Sequence, residues 1–479
     1  MGKNRSGEMP TTGKSQKLKI ISSVWLGKAM MALTRLLGRG GTTLPGRAAL
    51  RLYPGLLPYL AGHLRHGSLL VTGTNGKTTT AALLTGILRK AGYRCIYNQS
   101  GSNMAWGVTS SLIGASSWGG KLPGDLAVME VDEGAFPALV KSLHPRGMVL
   151  TNIFSDQLDR YGEIDAIQKA IGKGLEAAGE GSFQVINADD PSLAGIEGGS
   201  RGERWYFGLE LELAPERSEN EAGHSQPCPR CRQKLHYDQR FLAHLGRYRC
   251  PACGFKRPAP DVKLVGCSTR RGATALELLV RGEPLRTLFP LIGTYNLYNA
   301  LAAATAAAAM GVPAAEIKTG LESAAPSFGR MERLALKGRS VLMALVKNAA
   351  GANAVLPTVQ EQQPEIHLLA AINDKIADGT DVSWLWDVDF ERLAAVAERI
   401  KGLTVTGLRV WDLAVRLKYA GLAQETIRVE TDLKQALLAA LERTPPGATL
   451  FVMPNYTSML ALRRLLNNLG AGQPYWEES

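Results

Sequence analysis

The chain has 479 residues, 45% of them hydrophobic, enough to bury the cores of about two to three domains, which excludes a disordered or fibrous protein. Its formal net charge is +12, from 55 Lys and Arg against 43 Asp and Glu. No apolar run reaches the roughly 18 residues that a spanning helix needs and no signal peptide opens the chain, so the expected location is the cytoplasm.

The charge is concentrated at the start. The first 50 residues hold nine Lys or Arg against one acid, Glu8, a balance of +8. Within an expected N-terminal segment, residues 1–45, the stretch from Lys17 to Arg39 sets Leu18, Ile21, Trp25, Met31 and Leu36 among basic residues. An amphipathic helix lying on an anionic membrane has this pattern. A helix docked on the next domain with solvated lysines fits it equally well. Nucleic acid is not an expected partner, because no nucleic-acid motif accompanies the charge.

Next, the apolar run Ser68 to Val71 leads into Thr72-Gly73-Thr74-Asn75-Gly76-Lys77-Thr78-Thr79-Thr80, and a helical pattern follows from Thr79 to Lys90. Strand, glycine loop and helix in that order form a phosphate site. Glycines let backbone N–H groups close around an oxyanion, Lys77 reaches the terminal phosphates and Thr78 holds Mg2+, so the natural ligand is ATP. Val71 stands where the general P-loop spacing has its first glycine, which makes this the shorter form G-x-x-G-K-T-T. Beyond it, apolar runs alternate with helical segments, the signature of a mainly parallel, doubly wound sheet with ligands at the carboxyl ends of its strands. The run Leu126 to Met129 ends at Glu130, placed to bind Mg2+ across from Thr78. Glu133 is a second candidate, and a solvated acidic turn is the competing reading.

Cys228-Pro-Arg-Cys231 and Cys250-Pro-Ala-Cys253, with 18 residues between the pairs, read as a zinc ribbon. Four sulfurs leave no open position, so the expected Zn2+ is structural; disulfides are the alternative. Polar, Gly- and Pro-containing flanks mark the ribbon as an insertion at about 222–258. Asn296 and Asn299 then share one face at the start of an alanine-rich helix that Gly311 ends. After Leu334, strand candidates at Leu342 to Val346, His367 to Ile372, Leu403 to Thr406 and Thr449 to Met453 indicate a separate Rossmann-like domain.

Gly73 to Thr79, GTNGKTT, resembles the ATP loop of the Mur ligase family, which activates carboxylates as acyl phosphates, and further motifs follow in the family's order. Glu130 matches its Mg2+ glutamate. Thr151-Asn152 to Asp159 resembles its T-N-x-x-x-D-H-L-D segment, with Gln157 in place of the histidine, so no second metal is expected. Asn187-Ala188-Asp189-Asp190 resembles its N-x-D-D turn. In G-x-x-N-x-x-N, Asn296 takes the position that borders the adenine, and in Gly329-Arg330-Met331-Glu332 the arginine takes the position that faces the phosphates. The resemblance implies an α/β fold: a Mur ligase-type P-loop ATPase domain, residues 46–333, carrying the inserted zinc ribbon, then the Rossmann-like C-terminal domain, 334–479.

Within that last domain, Asn373-Asp-Lys-Ile-Ala-Asp378-Gly-Thr-Asp381-Val-Ser-Trp384 and Lys347-Asn-Ala-Ala-Gly351 resemble the MurT-type branch of the family, ligase subunits that amidate the D-glutamate of lipid II. Lys375, Thr380 and Ala349 depart from the branch pattern. The resemblance implies phosphorylation of the α-carboxylate of D-isoglutamate and displacement of phosphate by ammonia. It also implies a heterodimer with a GatD-type glutaminase, whose catalytic histidine is oriented by Asp381 of this chain. Asp378 is the reserve candidate, and a helix N-cap is the competing reading of Asp381. Cys95 and Cys267, the cysteines outside the ribbon, sit in no nucleophile turn and are expected to be buried, so a partner must supply ammonia. Only about 70 residues precede the ATP loop, too few for the UDP-binding domain of standard Mur ligases, which fits lipid II at the inner face of the cell membrane. The alternatives are a Mur or folylpolyglutamate synthetase-type amino-acid ligase and a nucleotide-binding scaffold.

Overall fold

The computed structural model describes residues 14–36, 42–98, 102–154, 160–196, 202–212, 226–270, 273–325, 329–362 and 364–471. Its first sheet contains β1 (Ser68–Thr72), β2 (Cys95–Tyr97), β3 (Leu126–Glu130), β4 (Gly147–Leu150), β5 (Phe183–Asn187) and β6 (Arg204–Leu209). An inserted antiparallel hairpin, β7 (His236–Leu242) and β8 (Leu245–Arg249), separates these from β9 (Val262–Arg270), β10 (Ala273–Val280) and β11 (Glu283–Phe289). The strand order is β11-β10-β9-β6-β5-β4-β1-β3-β2. All neighbours from β2 across to β9 are parallel, and β10 and β11 close the far edge antiparallel.

Every residue of β1, β3, β4 and β5 is buried, as expected for parallel strands covered on both faces. Side chains alternate across the sheet. Leu69 and Val71 therefore join one core with the helices Lys77–Lys90 and Thr294–Ala309, while Leu70 joins another with Leu112, Ile113 and Phe136. The alanines of Thr294–Ala309 let that helix lie close to the sheet, and every residue from Asn296 to Ala307 is buried.

The second sheet holds β12 (Arg330–Leu336), β13 (Arg339–Ala344), β14 (Ile366–Ala371), β15 (Ile400–Thr406), β16 (Ile427–Val429) and β17 (Thr449–Pro454). Their order is β12-β13-β17-β14-β15-β16, parallel apart from β12. Arg330 to Arg333, read from the sequence as the end of the ATP domain, thus belong to this second sheet. Arg330 pairs with Ala344 around a bulge at Met331, whose φ is 58°.

The N-terminal helix spans Lys14–Leu36 and is docked: Ile20 and Val24 are buried in the core that holds Leu112 and Ile113. Gly27 permits the contact, since a Cβ there would lie 2.9 Å from Ile113 Cδ1. Ile21 and Met31 are half-buried, while Leu18, Trp25 and Leu36 stay exposed. Among the described residues, no helix is long and apolar enough to cross a membrane.

Candidate active site

The glycine loop leaves β1 at the carboxyl edge of the sheet, and both of its glycines are required. Gly73 and Gly76 have φ of 127° and 84°. A Cβ would lie 2.3 Å from Thr151 Oγ1 at Gly73 and 2.2 Å from Asn299 Oδ1 at Gly76. The helix opens at Lys77 with no side-chain cap, so its first-turn N–H groups face the loop, as an anion site needs.

Thr151 and Asn152 brace the loop. The Thr74 N–H donates to Asn152 O at 2.9 Å, the Asn75 N–H donates to Asn152 Oδ1 at 2.9 Å, and Asn152 Nδ2 donates back to Asn75 O at 3.0 Å. Thr151 Oγ1 donates to Asn75 O at 2.8 Å. These contacts explain why Thr-Asn follows β4, the strand beside β1. Asp156, Gln157 and Asp159 of the same motif lie outside the described residues.

Glu130 ends β3 beside Val71, nearly fully buried, and Thr78 Oγ1 donates to its Oε2 at 2.6 Å. Asn98, a residue the sequence reading did not single out, clamps Glu130 by accepting from its N–H at 2.8 Å and donating to its carbonyl at 2.9 Å. A hydroxyl and a carboxylate so close suit a small hard cation such as Mg2+. Glu133 takes a different place. Lys77 Nζ donates to Glu133 Oε1 at 3.1 Å and to the carbonyls of Gly73 and Thr74. Burial pushes the Glu133 carboxyl above the usual range, and the nearby Lys77 opposes that shift.

Asn296 and Asn299 are both buried. Asn299 accepts from Thr80 Oγ1 at 3.2 Å and donates to Asn296 Oδ1 at 3.1 Å, and Asn296 donates to Ile292 O at 2.8 Å. The pair locks the alanine-rich helix onto the phosphate loop. Arg330 opens β12, but its side chain lies outside the described residues. Glu332 of the same motif is structural: it accepts from the Gly329 N–H at 3.0 Å and pairs with buried Arg463 at 2.7 Å.

The four ribbon cysteines gather with all their Sγ atoms within 4.8 Å of one another, and two pairs stand 3.6 and 3.5 Å apart. Four thiolates about 2.3 Å from a tetrahedral Zn2+ stand roughly 3.8 Å apart, so the cluster fits that ion. The N-x-D-D turn fastens the ribbon to the ATP sheet. Asp189, fully buried, pairs with Arg257 and accepts from Tyr298 Oη and the Leu209 N–H. Asp190 caps the short helix Pro191–Ala194 and accepts from the Ile153 N–H.

The two candidate aspartates after β14 differ sharply. Asp378 is committed to the start of the helix Tyr456–Asn468, accepting from the Thr457 N–H at 2.7 Å and from its hydroxyl at 2.5 Å. Asp381 is exposed and accepts a local bond from the Ser383 N–H at 2.8 Å, and its hydrogen bonding with Ser383 holds its carboxyl below the ordinary range. The bond is local to the turn that enters the short 3-10 helix Ser383–Asp387, whose N-cap position is Val382. Ile376 of this loop and Trp386 of the 3-10 helix after it are exposed, as are Leu408, Trp411 and Tyr419, and the ring centres of Trp386 and Tyr419 lie 5.8 Å apart. Cys95 is half-buried, its thiol pushed up to about 12 by burial. Cys267 is exposed, contrary to expectation, because β9 pairs with β6 only as far as Leu264 and continues beyond it with β10 alone.

Comparison with known proteins agrees with this geometry. The Mur ligase middle domain matches residues 71–223, and the MurT ligase C-terminal domain matches residues 345–459. The chain is 34% identical over 446 residues to the lipid II isoglutaminyl synthase (glutamine-hydrolyzing) subunit MurT of Staphylococcus aureus strain COL, covering 93% of this chain and 97% of that protein. It is 32% identical to the corresponding subunit of Streptococcus pneumoniae, covering 94% and 97%. Similar folds include MurF from Acinetobacter baumannii, with a TM-score of 0.65 at 18% identity over 88% of this chain and 80% of that one. Folylpolyglutamate synthase of Mycobacterium tuberculosis gives 0.60 at 16% identity over 95% of this chain and 100% of that one. The chain therefore belongs to the Mur ligase family, in the branch of the MurT subunits.

Proposed function

We propose that this chain is the ATP-dependent ligase subunit of a lipid II isoglutaminyl synthase. It converts the α-carboxylate of D-isoglutamate in the stem peptide to the amide of D-isoglutamine, with ammonia released by a GatD-type glutaminase partner. The observation that carries the proposal is the coexistence, on a chain aligned with 97% of a MurT subunit, of a braced ATP loop and an exposed carboxylate, Asp381.

In the first step an oxygen of the substrate carboxylate bonds to the γ-phosphorus of ATP while the bond from that phosphorus to the β,γ-bridging oxygen breaks, releasing ADP. Gly73 to Thr79 hold the phosphates, Lys77 offsets the charge of the transferred group, and Asn296 and Arg330 are assigned to the nucleotide by their match to the family's G-x-x-N-x-x-N and G-R-x-E patterns. Thr78 and Glu130 would hold Mg2+, which when bound neutralises phosphate charge. In the second step ammonia attacks the acyl carbon, phosphate leaves, and the nitrogen loses a proton. Asp381, exposed, orients the partner's histidine. Exposed Trp386, on the 3-10 helix that follows Asp381, and Tyr419, whose ring centre lies 5.8 Å from that of Trp386, give a partner subunit an apolar seat. The ribbon's Cys228, Cys231, Cys250 and Cys253 would hold a structural Zn2+. The reaction runs in the cytoplasm at the inner face of the membrane, where the lipid-linked substrate presents its peptide.

The test is Asp381→Asn, assayed with each nitrogen source. Glutamine-dependent amidation with the partner should fall by about 10^3- to 10^4-fold, the cost of losing a triad carboxylate, while ammonium-dependent amidation stays at the wild-type rate. Equal loss with both donors would refute this role for Asp381.

A further inference from the structure

We infer that the outer face of the N-terminal helix, together with the loop bearing Trp118, is a docking surface for an anionic lipid bilayer. The inference rests on the proposed function only for its purpose, bringing the ATP site to a lipid-linked substrate.

The helix Lys14–Leu36 buries Ile20 and Val24 against the domain, as a surface helix does, but also carries apolar side chains on its outer face. Its buried positions include Ser23, Gly27 and Thr34 beside Ile20 and Val24, whereas its exposed positions include Leu18, Trp25, Leu26, Ala29, Leu33 and Leu36. Leu18 is 67% exposed, Leu33 57% and Trp25 55%, too much apolar surface on one helix face for water alone. The Trp118 loop extends this face. The two indoles stand 5.1 Å apart edge to face, Trp25 Nε1 donates to Trp118 O at 3.1 Å, and Lys28 Nζ lies 5.4 Å from the Trp118 ring centre.

Charge decides the occupant. The helix contains no Asp or Glu; its charged residues are Lys14, Lys17, Lys19, Lys28 and Arg35. A second copy seated face to face would set lysine against lysine. An anionic bilayer accepts every feature at once: leucines enter the acyl boundary, indoles sit at headgroup level and lysine stems extend to the phosphates. The helix therefore lies in the membrane surface without crossing it.

The test is flotation of the purified full-length chain with vesicles of phosphatidylglycerol mixed with phosphatidylcholine, against phosphatidylcholine alone. Binding should require the anionic lipid and weaken with salt. The double variant Leu18→Ser/Leu33→Ser should partition about 100-fold less. Lys14→Gln/Lys17→Gln/Lys19→Gln should lose roughly fivefold per lysine. Equal binding to neutral vesicles, or wild-type binding by both variants, overturns the inference. So does sedimentation showing that the variants dissociate a wild-type dimer, which would make the face a contact between copies. Amidation of detergent-dispersed substrate separates the two claims. Catalysis without flotation removes the surface and leaves the function; flotation without catalysis does the reverse.

Discussion

Lys77 is paired with Glu133, so a phosphate that takes up this lysine competes with a carboxylate for it. The 3.1 Å ion pair is little exposed, with 12% of the Lys77 side chain and 13% of the Glu133 side chain accessible, and it is weakly screened. Hydrogen bonds between charged groups contribute about 1.5–3 kcal/mol net. Lys77 keeps the carbonyls of Gly73 and Thr74 when Glu133 is neutralised, so the lower figure applies. Glu133→Gln should therefore tighten ATP binding by about tenfold at pH 8, measured by titration calorimetry with Mg2+ present. The pH dependence has a definite sign. Burial raises the Glu133 pKa above 4.5, so acidification protonates the wild-type carboxyl and frees Lys77. The advantage of the variant should shrink as pH falls towards that raised value. If Glu133→Gln weakens ATP·Mg2+ binding at every pH, Glu133 is a metal ligand and the competition argument is wrong.

Other substitutions test the framework. Gly76→Ala forces a side chain into a φ of 84° and to 2.2 Å from Asn299 Oδ1, so it should cost about 1–3 kcal/mol in thermal unfolding and abolish ATP binding. Removing the ribbon metal with a chelator, or Cys250→Ser, should lower the unfolding temperature and release one Zn2+ per chain, read by a colorimetric zinc indicator. An unchanged protein would show that the thiols hold no structural ion. Asp378→Asn breaks charge-assisted bonds to Thr457 and should destabilise by about 1–3 kcal/mol in denaturant titration, whereas Asp381→Asn should change stability by less than about 1 kcal/mol.

The ATP loop was legible in the sequence because its chemistry fixes residue types at fixed spacing: glycines where the backbone turns, then a lysine and a hydroxyl on the first helical turn. The four cysteines were legible for the same reason. What escaped the sequence depends on register between distant strands. The bracing of Asn75 by Asn152 follows from β4 lying beside β1, and the clamp of Asn98 on Glu130 follows from the pairing of β2 with β3. Glu130 and Glu133 look alike in the sequence, yet only the turn after β3 sends one to Thr78 and the other to Lys77. The G-R-x-E motif falls on the far side of a boundary drawn from its neighbours, because β12 pairs forward with β13. For the N-terminal helix, periodicity reveals an amphipathic pattern but not which face turns inward; Gly27 against Ile113 decides it.

The proposed activity is amide formation on lipid II with nitrogen supplied by a partner. The most direct measurement is phosphate release from ATP, with mass analysis of the stem peptide, for the purified chain with lipid II and Mg2+. Three nitrogen sources are compared: ammonium, glutamine, and glutamine with the glutaminase subunit. The expected result is isoglutamine and stoichiometric phosphate with ammonium and with the pair, and neither with glutamine alone. Turnover with glutamine alone, or only when an amino acid is added, would contradict it.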